Sequence, residues 1–118
     1  MHAEHEGDKL YRTLMQMHED TFAAGLFEVS YHLLAAALHA AEEADNLELI
    51  TRVEMQATQR QAEIDRSQPQ HKVSSASAAG RGNFALFTAL SATAGAARGR
   101  IAADQAVARV RNEASRSH

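Results

Sequence analysis

The chain has no cysteine, no tryptophan and a single proline in 118 residues, and aromatics make up only 5% of it. The missing cysteine excludes disulfides, iron–sulfur clusters, cysteine-ligated zinc and thiol catalysis, and it suits a reducing compartment. Scarce aromatics and the near absence of Gly and Pro before Pro69 argue against a sheet. No apolar run approaches the roughly 18 residues that a membrane span needs. The opening residues His2, Glu4, His5, Glu6 and Asp8 are unlike a signal peptide. The expectation is therefore a cytoplasmic protein without a membrane segment. The length suits one domain over 1–118, able to bury roughly two-thirds of the surface of its unfolded chain.

What is present favours helix: abundant alanine, with 45% apolar residues overall. Charge is unevenly spread. Residues 1–66 carry 13 acidic and 5 basic side chains, whereas 67–118 carry 2 and 7. Halves of net −8 and +5 attract each other, within one chain or across a dimer.

Apolar residues at Leu10, Tyr11, Leu14, Met15, Met17 and Phe22 recur in steps that predict a helix over 8–24, capped by Asp8 and ended by Gly25. A second helix over 26–44 is apolar around most of its girth, from Leu26, Phe27 and Val29 to Leu34 and Leu38, which places it centrally. Asn46 can cap a third helix over 47–66, whose thinner stripe runs through Ile50, Val53, Ala57 and Ile64. Pro69 interrupts it. Residues 67–82, rich in Ser, Ala and Gly, read as a linker. Asn83 can cap a fourth helix over 84–112, with Phe84, Phe87, Leu90 and Ile101 on one side. Residues 1–7 read as a frayed N-terminus and 113–118 as a polar tail. The fold expected is all-α, an antiparallel bundle of about four helices. Its core takes Leu14, Phe22, Phe27, Val29, Leu34, Leu38, Ile50, Val53, Phe87 and Leu90.

Between Leu14 and Glu42 the pattern resembles a single tetratricopeptide repeat, a helical hairpin of about 34 residues. Leu14 and Met17 match the large apolar positions of its first helix, and Gly25 and Phe27 match the glycine and aromatic of its turn. Ser30, Leu34 and Ala37 match the small, large and small positions of the second helix. His18 replaces a small residue, Thr21 an aromatic and Glu42 the closing proline. The resemblance covers about a quarter of the chain. It implies a partner-binding scaffold with no chemistry of its own.

Seven histidines raise the question of a metal. Glu28, His32, His39 and Glu43 share one stripe of the second helix, and His18 could add a ligand from the first. Carboxylate and imidazole together suit zinc or iron. Against this, the chain has no Glu-x-x-His step and no His-Glu-x-x-His. The stripe reads more simply as the solvated side of a buried helix, or as a buried proton-sensing His pair. His2 and His5 with Glu4 and Glu6 offer at most an adventitious site.

Gly80-Arg81-Gly82-Asn83-Phe84-Ala85 fits the dinucleotide-binding pattern formally, but that motif works only between a strand and a helix. Ser74, Ser75 and Ser77 lie near His71, yet nothing specifies an oriented base or an oxyanion hole. Arg81, Arg98, Arg100, Arg109, Arg111 and Arg116 form a basic set without a helix-turn-helix or stacking aromatics, so nucleic acid is not the expected partner.

Ser91, Gly95, Gly99 and Ala103 fall every fourth residue, a smooth groove that another helix can approach closely. The 67–82 linker would permit exchange of the fourth helix between subunits. The sequence thus predicts a non-enzymatic scaffold without a cofactor. Its partner is another protein or itself, as a homo-oligomer, and the metal-binding bundle is the alternative.

Overall fold

The computed structural model describes residues 5–116, and among these it holds five helices and no strand. Helix α1 spans Glu6–Ala23, α2 Phe27–Glu43, α3 Leu47–Ser67, α4 Ser75–Gly80 and α5 Leu86–Arg116. An all-helical bundle is as expected, but with five helices among the described residues where about four were expected, the short α4 lying inside the segment read as a linker. None is long and apolar enough to cross a membrane.

Three helix ends close in the same way. After α1, the Leu26 N–H reaches the Thr21 carbonyl at 2.9 Å and the Gly25 N–H reaches Phe22 at 3.0 Å. Asn46 and Asp45 repeat this on Ala41 and Glu42, as do Asn83 and Gly82 on Ala78 and Ala79. The motif needs one residue in the left-handed region. Gly25 (φ 80°) and Gly82 (φ 73°) take it without steric cost, and Asp45 (φ 50°) is among the few other residues that tolerate it.

Helices α1 and α2 pack antiparallel, as do α3 and α5, while α1 and α3 run parallel. Helix α2 touches α1, α3 and α5, the central place its apolar girth predicts. Leu34, Leu38, Ile50, Val53, Ile64 and Phe87 are fully buried. Val29, read as core, is 49% exposed, and Phe84, placed on the apolar side of the fourth helix, is 85% exposed. Val29 sits about 140° around α2 from Leu34, off the inward face. Phe84 precedes α5, which begins at Leu86, so helical periodicity does not govern where it points. Asn83 does not cap that helix.

Of residues 1–7, read as frayed, Glu6 and Gly7 belong to α1. His5, not Asp8, caps α1, its Nδ1 accepting the Gly7 N–H at 2.8 Å, and Gly7 is buried against α2. His2 and Glu4 lie outside the described residues, as do Ser117 and His118. Residues 113–116, read as tail, continue α5.

The linker is also folded. Val73, Ser74 and Ala78 are buried. The Ser74 hydroxyl donates to the Pro69 carbonyl at 2.7 Å and accepts the Ser77 N–H, capping α4. Asp65 of α3 accepts from the Ser75 N–H at 2.7 Å and from its hydroxyl at 2.6 Å. Burial raises the Asp65 pKa, but these bonds and the Gln61 amide outweigh it and hold the carboxyl below its usual range. Ser74 and Ser75 thus anchor α4 through their hydroxyls and Ser77 through its backbone N–H, and what precedes Gly80 is helix, not the strand a dinucleotide motif requires.

The two charged halves meet within this one chain. Arg98 pairs with Glu54 at 3.0 Å, Lys72 with Glu28 at 3.0 Å, and Arg100 approaches Glu42 at 3.8 Å. All three are surface pairs, of modest energetic weight.

Candidate interaction surfaces

Helix α5 holds the body with Phe87, Leu90, Ala94, Ala97 and Ile101, and its Gln105 amide donates to the Asp45 carbonyl at 2.9 Å. Beyond that point residues 107–116 are all exposed, so the helix overhangs by about 16 Å. The overhang helps stretch the molecule to 63 × 32 × 17 Å. Val107 is 50% exposed and Val110 65%. With Ala106 and the Arg111 stem they bound a shallow, mostly apolar depression.

The four-residue seam does not act as one surface. The Ser91 hydroxyl meets Thr58 at 2.8 Å and donates to the Glu54 carbonyl at 3.2 Å. A Cβ on Gly95 would stand 2.7 Å from Glu54 Oε2. These two residues let α5 close on α3 of the same chain. Gly99 and Ala103 are exposed, and a Cβ on Gly99 would meet nothing within 4 Å. The reason is geometric: four residues advance a helix by more than one turn, so a strict fourth-residue line drifts about 40° per step. The line that stays outward is Ala92, Ala96, Gly99, Ala103 and Val110, all exposed. It lies on the side of α5 opposite Ile101, away from the body.

A second surface is the groove of about 540 Å³ between the parallel helices α1 and α3. Tyr11 and Met15 form one wall with Gln16 and Glu19, and Met55 forms the other with Arg52, Gln56 and Gln59. Burial raises the pKa of the Tyr11 phenol, so Tyr11 presents a neutral ring beside Arg12 and Glu19 on this wall.

The most constrained polar group lies beneath that groove, on the inward side of α1. His18 is completely buried. Its Nδ1 lies 2.8 Å from the Ser30 carbonyl and 2.7 Å from the Ser30 hydroxyl, which donates to the His18 carbonyl at 3.2 Å. Its Nε2 accepts from Arg60 Nε at 3.1 Å. An arginine cannot serve as acceptor, so Nε2 is unprotonated and Nδ1 carries the proton. Burial lowers the His18 pKa; the Ser30 carbonyl opposes this, Arg60 adds to it, and Glu19 and Glu63 oppose it. A group whose pKa is depressed on folding stabilises the fold fully above its unfolded value of about 6.5 and loses that contribution as pH falls through the folded value. The urea midpoint should therefore drop on acidification from about pH 7.5 to 5.5, and His18→Gln should flatten the drop. Only packing could reveal that His18 meets Ser30 and Arg60.

The metal alternative finds no gathering of its residues. Glu28, His32, His39 and Glu43 are all exposed. Glu28 pairs with Lys72, chiefly through a hydrogen bond that lowers its pKa; His32 abuts the Tyr31 ring; His39 lies 3.4 Å from Glu42. The stripe is about 22 Å long, so it supplies at most two ligands at any level, and no neighbouring helix covers it. His18 is turned inward and engaged. Among the described residues no three His, Asp or Glu side chains are grouped to hold a metal ion. The same exposure removes the buried His pair.

The remaining arginines make no single basic face. Arg81 donates to the Lys72 carbonyl at 2.9 Å, and Arg98 and Arg100 turn toward α3 and α2, while Arg109, Arg111 and Arg116 lie on the overhang. Compared with protein-family models, with curated proteins and with solved structures, the chain matches none.

Proposed function

We propose that this chain is a non-enzymatic helical scaffold that acts through protein–protein contact and pairs with a second copy of itself along α5. The observation that carries this reading is the unpartnered apolar line Ala92, Ala96, Gly99, Ala103 and Val110, with Val107 beside it. Steps of four and three residues are those of a seam between two helices. The line is self-complementary. An antiparallel two-fold near Ala106 and Val107 sets Ala103 against Val110 of the second copy and Gly99 against Ala114, small against larger. The same two-fold places Asp104 on the flank where the second copy carries Arg111, and does so twice. A self-complementary patch is what an isologous dimer requires.

The groove between α1 and α3 offers a surface for a different protein. Flexible methionines beside a tyrosine suit apolar anchors of a bound segment. The tetratricopeptide-like residues of the α1–α2 hairpin agree with such an adaptor role.

Sedimentation equilibrium tests the self-pairing. The wild type should give a dimer mass at tens of micromolar. Val107→Glu with Val110→Glu should give a monomer with unchanged helical circular dichroism, because burying an unpaired carboxylate at the seam costs several kcal/mol. A wild-type monomer at that concentration, or a double variant that still dimerises, refutes the pairing.

A further inference from the structure

We propose that His18 and Arg60 form a proton-operated latch between α1 and α3 that sets the width of the groove above them. The latch goes beyond the scaffold reading and does not depend on the α5 pairing. At neutral pH the imidazole bridges three helices. Its Nδ1–H holds Ser30 of α2, and its Nε2 receives Arg60 Nε of α3 at 3.1 Å. Protonation of Nε2 sets an N–H against an N–H and one cation against another, on a ring that is itself fully buried. Arginine does not give up its proton, so the contact must part. The bonds from Nδ1–H to Ser30 survive, because the imidazolium keeps that donor.

Arg60 has somewhere to go. Its guanidinium lies 4.2 Å over the Phe22 ring, Nη1 donates to Glu63 at 3.2 Å, and Gln56, with its amide oxygen turned inward, accepts from Nε and Nη2 at 2.8 Å each. These acceptors belong to α3, whereas His18 belongs to α1. Release therefore removes the hydrogen bond from Arg60 to α1 and leaves the guanidinium bonded to Gln56 and Glu63 of its own helix, with the Phe22 ring as its remaining contact to α1. The α1–α2 hairpin stays intact while α1 gains freedom to move from α3. The other groups around His18 are known. Glu19 of α1 and Glu63 of α3 are the acidic ones, and Phe87 of α5 presents only an aromatic edge. Neither carboxylate makes a direct bond to the ring that would replace Arg60. Gln56 also lines the groove, so the latch and the surface share a residue.

The absence of cysteine makes a direct test clean. Gln16→Cys and Gln59→Cys place nitroxide labels on facing, exposed walls of the groove. Pulsed electron paramagnetic resonance should give one distance at about pH 7.5 and a longer one once the pH falls below the depressed His18 value. In the His18→Gln background the amide oxygen still accepts from Arg60 and cannot titrate, so the short distance should persist at both values. In the Arg60→Gln background the long distance should appear at both. Circular dichroism at each pH confirms that the helices remain. If His18→Gln fails to fold, the wild-type and Arg60→Gln distances still decide the matter. A wild-type distance independent of pH, the same pH response in His18→Gln, or a short Arg60→Gln distance at neutral pH would each overturn the latch.

Discussion

Replacing Phe87 with alanine should cost about 3–5 kcal/mol of stability, the range for emptying a large aromatic site in a closed core. Phe87 is fully buried, and its ring meets three others edge-on: Tyr31 at 5.8 Å, and His18 and Phe22 at 6.3 Å each. It is the point at which α5 enters the space between α1 and α2. Its removal leaves a cavity that cannot collapse without moving three helices, and it strips one wall from the His18 site. Phe84, three residues away and 85% exposed, is the control; Phe84→Ala should change stability by no more than about 0.5 kcal/mol. Urea denaturation of both variants checks this, and equal losses would contradict the placement of α5.

The second large effect is a reversal of sign at Gly7. In an open helical position Gly→Ala stabilises by up to about 1 kcal/mol. Here an added Cβ would stand 2.6 Å from the Ala40 carbonyl oxygen and 3.1 Å from the Ala44 Cβ. The oxygen is backbone and cannot swing aside, so α1 would have to move off α2. Gly7→Ala should therefore destabilise by about 1–3 kcal/mol, the usual cost of overpacking. A stabilised Gly7→Ala would show that α1 does not reach α2 at this end.

The long helices were legible because their signals are local. The expected 8–24, 26–44 and 47–66 lie within about two residues of α1, α2 and α3, since apolar period, a left-handed stop residue and the Asn46 cap all act over a few neighbours. The start of α5 was less legible, because Asn83 closes α4 and no side-chain cap signal marks Leu86. Residues 67–82 misled for a different reason. Small polar side chains read as linker, and only the distant carboxylate of Asp65 turns Ser75 into an anchor. The candidate surfaces divide likewise. The four-residue line read as one groove joins Gly99 and Ala103, which are exposed, to Ser91 and Gly95, which face α3.

The sequence by itself determined an all-helical chain, the bounds of its first three helices, the central place of α2 and the solvated stripe of Glu28, His32, His39 and Glu43. Each follows from periodicity and composition, which act along one helix at a time. The tertiary structure alone decided that His18 meets Ser30 and Arg60, that Gly7 is a contact point, and that α5 runs past the body with an uncovered face. Those depend on which helices lie side by side, and that choice is made by packing between residues separated by 12, 42 or 60 positions.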